Sequence, residues 1–164
     1  MPTRCTIRIA GGNDAPTIVE MIRGLADYEH KLGAVEATPE IIAAQMRSAE
    51  PPFECLLAEE DGNPLGFALF FRAYSTWLAA PVLFLEDLFV TPKSRGHGVG
   101  GALMRRLAAL TLQRGWKRIE WLVLDWNTPA QGFYAEHGAG HMKPWQVWGI
   151  DGDKLTRLAS GAQP

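Results

Sequence analysis

The sequence predicts a mixed α/β fold built as one domain over residues 1–164. Three observations predict it. Strand-like runs lead into strand-like runs in the first half of the chain. Strands then alternate with helical patterns in the second half. At 164 residues, 47% hydrophobic and 21% charged, the chain has an ordinary globular composition and can bury a core without staples.

The elements follow in order. Thr6–Ala10 alternates polar and apolar residues and predicts a first strand. Gly11-Gly12-Asn13-Asp14 is a turn with Asp14 as helix N-cap candidate and Pro16 tolerated in the first turn. Ile18, Val19, Ile22, Leu25 and Ala26 then recur at helical spacing. Thr38-Pro39-Glu40 opens a second helix running to about Met46, and Pro51-Pro52 breaks the chain. Phe53–Glu60 and Leu65–Ala73 are strands joined by the hairpin signal Asp61-Gly62-Asn63-Pro64. Val82–Val90 is a long strand of aromatic and branched residues. Leu103, Leu107, Leu110 and Thr111 mark a helix ending near Gly115. Arg118–Leu124 predicts a strand, Asn127–His137 a helix closed by Gly138, Trp145–Ile150 a last strand and Asp153–Leu158 a short helix. The order is β-α-α-β-β-β-α-β-α-β.

A net charge of −2 argues against a general nucleic-acid binder, which carries a basic surplus. Basic residues cluster locally at Lys93, Arg95, Arg105 and Arg106, which suits a phosphorylated small ligand. No apolar run reaches the ~20 residues of a membrane span. Met1-Pro2-Thr3-Arg4-Cys5-Thr6-Ile7 has no apolar leader, so the cytoplasm is the expected location. Cys5 and Cys55 have neither metal nor redox spacing and read as reduced core thiols.

Gly96-His97-Gly98-Val99-Gly100-Gly101 is the strongest local signal. Glycines let several backbone N–H groups converge on an anion, and a following helix adds its dipole. A P-loop would need Gly-Lys-Ser/Thr at its end, but the sequence continues Gly101-Ala102-Leu103. Gly96, Gly98 and Gly101 do spell G-x-G-x-x-G, and Glu120 lies about 20 residues on, as a dinucleotide site requires. Such a loop follows its strand directly, however, and here Thr91 to Arg95 intervene. An ordinary glycine-rich turn is the plain alternative. A different pattern begins at the arginine: Arg95-Gly96-His97-Gly98-Val99-Gly100 fits Gln/Arg-x-x-Gly-x-Gly/Ala.

Three blocks together resemble the GNAT superfamily of N-acetyltransferases and, within it, the diamine (spermidine/spermine) acetyltransferases. They are Leu85-Glu86-Asp87-Leu88-Phe89-Val90, the loop Arg95 to Gly100, and Trp126-Asn127-Thr128-Pro129-Ala130-Gln131-Gly132-Phe133-Tyr134 with Gly138-Ala139. The resemblance implies a GNAT-like fold and acetyl-coenzyme A as acetyl donor. It implies that backbone groups of Leu88, Phe89 and Val90 bond the pantetheine arm as an added strand edge. It implies that the N–H groups of Arg95, Gly96, His97, Gly98, Val99, Gly100 and Gly101 hold the pyrophosphate. Asn127 and Ala130 would contact the coenzyme, Tyr134 would sit by the thioester sulfur, and the assembly would be a homodimer.

The chemistry needs a neutral amine nitrogen. An alkylammonium has a pKa near that of lysine, about 10.4, so a base must help at neutral pH. Glu86, in an otherwise apolar strand, is the candidate, because desolvation would raise its pKa. Asp87 points to the opposite face of a regular strand; a bulge would let both serve. Tyr134 can supply a proton to the departing thiolate. No metal is expected: His137 and His141 are four apart, but Gly138 and Gly140 break the helix that would align them.

The resemblance also implies an acceptor. Tyr28, Glu29, Trp77, Glu86 and Asp87 match acidic or aromatic positions of the polyamine site, where carboxylates attract ammonium groups and rings add cation–π attraction. The expected substrate is a small diamine, polyamine or lysine-like amine. Acetylation of an amino acid, an arylamine or a protein N-terminus, or non-catalytic binding of acyl-coenzyme A, are the alternatives.

Overall fold

A computed structural model describes residues 5–161; Met1 to Arg4 of the N-terminal reading lie outside them. The chain divides into two units, Met1–Leu124 and Asp125–Pro164. The first holds β1 (Thr6–Ile9), α1 (Ala15–Tyr28), α2 (Pro39–Met46), β2 (Glu54–Glu60), β3 (Asn63–Ser75), β4 (Ala80–Val90), α3 (Val99–Gln113) and β5 (Ile119–Trp121). The sheet order is β1-β2-β3-β4-β5. The first four strands pair antiparallel and only β4 and β5 run parallel. This is the expected mixed sheet, and it excludes the dinucleotide alternative, whose sheet is mostly parallel. Glu120, the acid that alternative would place on a ribose, is ion-paired to Arg118.

Alternation along the strands assigns the faces. Cys55 and Leu57 of β2, Phe67 and Leu69 of β3 and Phe89 of β4 cluster with Ile18, Val19 and Met21 of α1 and Ile42 of α2. The intervening residues Leu56, Ala58, Ala68 and Phe70 are equally buried on the other face. There α3 packs through Leu103 and Leu107. Its end is anchored by Arg114, bidentate on Glu54 at 2.6 and 2.7 Å and stacked 5.9 Å over Phe70. Glu54 and Phe70 are cross-strand partners.

The caps differ from expectation at one helix. Thr38 Oγ1 accepts from Ile41 N at 3.3 Å and caps α2 as predicted. Asp14 precedes α1 without capping it through its side chain. Its carboxylate instead accepts from Gly11 N and from Arg8, whose guanidinium also forks onto Glu59. Arg8 outcompetes the helix N–H groups because it offers two charge-assisted bonds.

The second unit holds α4 (Thr128–Glu136) and α5 (Gly152–Ala159). The predicted strand Trp145–Ile150 is not formed, and its residues are exposed. An alternating apolar run needs a partner edge for its N–H and C=O groups, and none pairs with it among the described residues. The strand predicted over Arg118–Leu124 is likewise shorter, limited to Ile119–Trp121.

Candidate active site

The centre of the first unit is an irregularity in β4. Leu69 pairs with Asp87, but the next residue of β3, Phe70, pairs with Leu85. Glu86 is therefore the extra residue of a β-bulge. The bulge resets which side chains face which way. Asp87 lies opposite Leu69, on the α1 face with Phe89, whereas Leu85 lies opposite Phe70, on the α3 face. In a regular strand Leu85 and Asp87 would share a face.

The two acids consequently differ. Glu86 is exposed, so the desolvation expected for it falls on its neighbour. Burial pushes the Asp87 carboxyl up to about 6, helped by the charges of Glu86 and then Glu29. Glu29 follows Tyr28 at the C-terminal end of α1. The fold thus brings Tyr28, Glu29, Glu86 and Asp87 into one acidic and aromatic neighbourhood. It does not bring Trp77 there within one chain. Trp77 is 85% exposed at the tip of the β3–β4 hairpin. The Ala80–Glu86 stretch of β4 separates it from Glu86 by roughly 20 Å at the rise of an extended strand.

The bulge also marks where the sheet opens. Pairing between β4 and β5 covers Leu83, Phe84 and Leu85 and stops there. Among the described residues, β4 from Glu86 to Val90 pairs only with β3, leaving one edge for an added strand. Val90 contributes less to that edge than expected, because its carbonyl accepts from Arg95 Nε at 3.1 Å.

Beyond β4, a 3₁₀ turn over Pro92–Ser94 is closed by Ser94 N on the Thr91 carbonyl at 2.8 Å. Gly96 and Gly98 then adopt φ of +76° and +81°, a left-handed conformation that side chains resist. Gly98 is the N-cap of α3. The N–H groups of Val99, Gly100 and Gly101 open that helix and have no intrahelical acceptor. Lys93 and Arg95 stand exposed beside them. A loop of this shape fits a pyrophosphate.

The second unit carries Asn127, Ala130 and Tyr134 on and before α4. Asn127 is buried, and its side-chain oxygen accepts from Ala130 N at 3.3 Å. That cap already engages the Ala130 N–H. Tyr134 is half-buried, its ring edge-on to Phe133 at 5.2 Å. His137 bonds back through Nδ1 to the Phe133 carbonyl at 2.8 Å.

Sequence reasoning missed the side chain of Arg95. Its guanidinium lies 5.0 Å from the Tyr28 ring centroid and 5.6 Å from that of Phe89. A signal was present in Gly24, one helical turn before Tyr28. A Cβ there would meet the Phe89 ring at 2.8 Å, so α1 needs glycine to receive that ring.

Comparison with known proteins agrees with this architecture. Residues 18–139 match the model of the acetyltransferase (GNAT) family. A thialysine N-epsilon-acetyltransferase from Sus scrofa is 33% identical, with 93% of this chain and 96% of the relative covered. A spermidine/spermine N(1)-acetyltransferase-like protein from Homo sapiens is 30% identical over 93% of this chain, which spans 23% of that protein. Among solved structures, an integron cassette protein from the mobile metagenome of V. cholerae superposes with a TM-score of 0.80 at 24% identity, covering 96% of this chain and 98% of that one. The chain belongs to the acetyltransferase (GNAT) family, and it is an acetyl-transfer enzyme of the N-acetyltransferase type.

Proposed function

We propose that the protein transfers the acetyl group of acetyl-coenzyme A directly to a primary amine of a small cationic acceptor, a diamine, polyamine or lysine-like molecule. The observation that carries the acceptor class is the bulge at Glu86, which sets two adjacent carboxylates near Glu29 and Tyr28. Such a group of carboxylates attracts an ammonium ion. The named activities of the thialysine and spermidine/spermine relatives point to the same chemistry.

In this reading the Arg95–Gly101 loop and the first turn of α3 hold the coenzyme pyrophosphate. The open edge of β4 from Leu88 to Val90 holds the pantetheine arm, and Asn127 and Ala130 complete the contact. Glu86 or Asp87, directly or through water, takes the proton from the acceptor ammonium. The freed nitrogen lone pair attacks the thioester carbonyl carbon, the Leu88 N–H on the open side of β4 meets the oxyanion (the Phe89 N–H faces Phe67 of β3), and the C–S bond breaks. Tyr134 gives its phenolic proton to the departing thiolate, and the second proton lost by the acetylated nitrogen passes through water to restore the Tyr134 phenol.

The whole chain forms one catalytic domain in this reading, since the family match crosses the boundary between the two units. It functions as a homodimer, for which exposed Trp145 and Trp148 offer apolar surface. Two free cysteines fit the cytoplasm. Steady-state kinetics against an amine panel test the acceptor. Diamines and lysine-like amines should give the highest kcat/KM; turnover of an amino-acid α-amine or arylamine alone would overturn the assignment.

A further inference from the structure

Arg95 has a side-chain role separate from the backbone of the loop it begins. Its Nε donates to the carbonyl of Val90, the last residue of β4. Its guanidinium carbon lies over two rings, Tyr28 at the end of α1 and Phe89 in β4. Phe89 is buried, and its ring is received by Gly24 on the same face of α1 as Tyr28, one turn earlier. Three elements thus converge on one cation: the loop leading to α3, the end of β4 and the end of α1. The residue after Tyr28 is Glu29, whose charge acts on Asp87.

We propose that Arg95 is a positioning residue that couples the coenzyme loop to the acceptor wall. The inference rests on the assignment of the Arg95–Gly101 loop to the coenzyme. A shift of the loop moves the guanidinium, and the guanidinium holds Tyr28 and, through it, the Glu29 end of α1. Coupling of this kind is reciprocal. A change at Tyr28 therefore reaches coenzyme affinity, although Tyr28 belongs to the acceptor side. A planar, permanently charged group suits the role, since it can stack and donate at the same time.

The test is a double-mutant cycle read by the coenzyme A dissociation constant, with thermal melts as a folding control. Tyr28→Leu should weaken coenzyme A binding by about fivefold, as should Arg95→Gln. Tyr28→Phe, which keeps the ring face, should bind coenzyme A more tightly than Tyr28→Leu does. The Arg95→Gln/Tyr28→Leu double variant should be no weaker than Arg95→Gln alone. An unchanged constant in Tyr28→Leu, or losses that multiply in the double variant, would overturn the coupling while leaving the loop assignment intact. Failure of the wild-type chain to bind coenzyme A would instead overturn the loop assignment and the coupling with it.

Discussion

Glu86 and Asp87 are neighbours in β4, yet the bulge exposes Glu86 and leaves Asp87 half-buried on the α1 face beside Leu69. The carboxyl pushed up to about 6 is therefore that of Asp87. Its effect on stability has a definite sign. The folded state binds the Asp87 proton more tightly than the unfolded state, whose ordinary value is 3.8. The wild type should lose stability relative to Asp87→Asn as pH rises from about 4 to above 6. Denaturant melts of both proteins across that range check this; a constant difference would show that Asp87 is not perturbed.

The same group should shape activity. If an ionised Asp87 is needed to attract the acceptor, kcat/KM for a diamine rises through an apparent pKa near 6, and Asp87→Asn removes that limb. Glu86→Gln should instead lower kcat, by about a hundredfold where it is the sole base. A larger effect of Asp87→Asn than of Glu86→Gln on kcat would move the base role to Asp87.

Tyr134→Phe should slow transfer while leaving coenzyme A affinity within about twofold, because only the transition-state proton is lost. Unchanged kcat in Tyr134→Phe would remove its acid role.

The glycines separate into two kinds. At Gly66 a Cβ would lie 2.6 Å from the Phe89 carbonyl oxygen, a backbone atom that cannot move aside. Gly66→Ala should cost about 1–3 kcal/mol of stability by overpacking β3 against β4, seen in chemical denaturation. At Gly96 a Cβ would meet nothing within 4 Å, but φ is +76°. Gly96→Ala should therefore cost only about 1 kcal/mol while weakening coenzyme binding, measured by calorimetry.

Arg8 and Asp14 supply an opposite pH dependence to Asp87. The hydrogen-bonded Arg8 guanidinium holds the Asp14 carboxyl below its ordinary value of 3.8. Its contribution is present above that value and lost as pH falls through the lower folded one. Asp14→Asn should therefore flatten the acid limb of the stability profile, and an unaltered limb would contradict the pairing.

Local signals were legible in the sequence wherever they were covalently close. The Thr38-Pro39 cap, the Asp61–Pro64 hairpin and the glycine loop with its helix all fall where their patterns place them. What pairing decides was less so. Trp145–Ile150 alternates like a strand but finds no edge among the described residues, and the span expected from Arg118 to Leu124 shortens to three residues. The bulge is visible only as a slip in register between β3 and β4. Its consequence, burial on Asp87 rather than Glu86, follows from that register and not from composition. Trp77 was grouped with the acids by family pattern, but the length of β4 carries it to the far end of the hairpin. The Arg95 stack needs three segments far apart in sequence, so no window of residues displays it.

The most direct measurement of the central claim is the product of one reaction: acetyl-coenzyme A and a diamine incubated with the protein, analysed by mass spectrometry and by titration of free thiol. Direct transfer predicts a singly N-acetylated diamine and one free coenzyme A thiol for each acetyl group moved. Thiol release without acetylated amine, or neither product from any diamine or lysine-like acceptor, would contradict it.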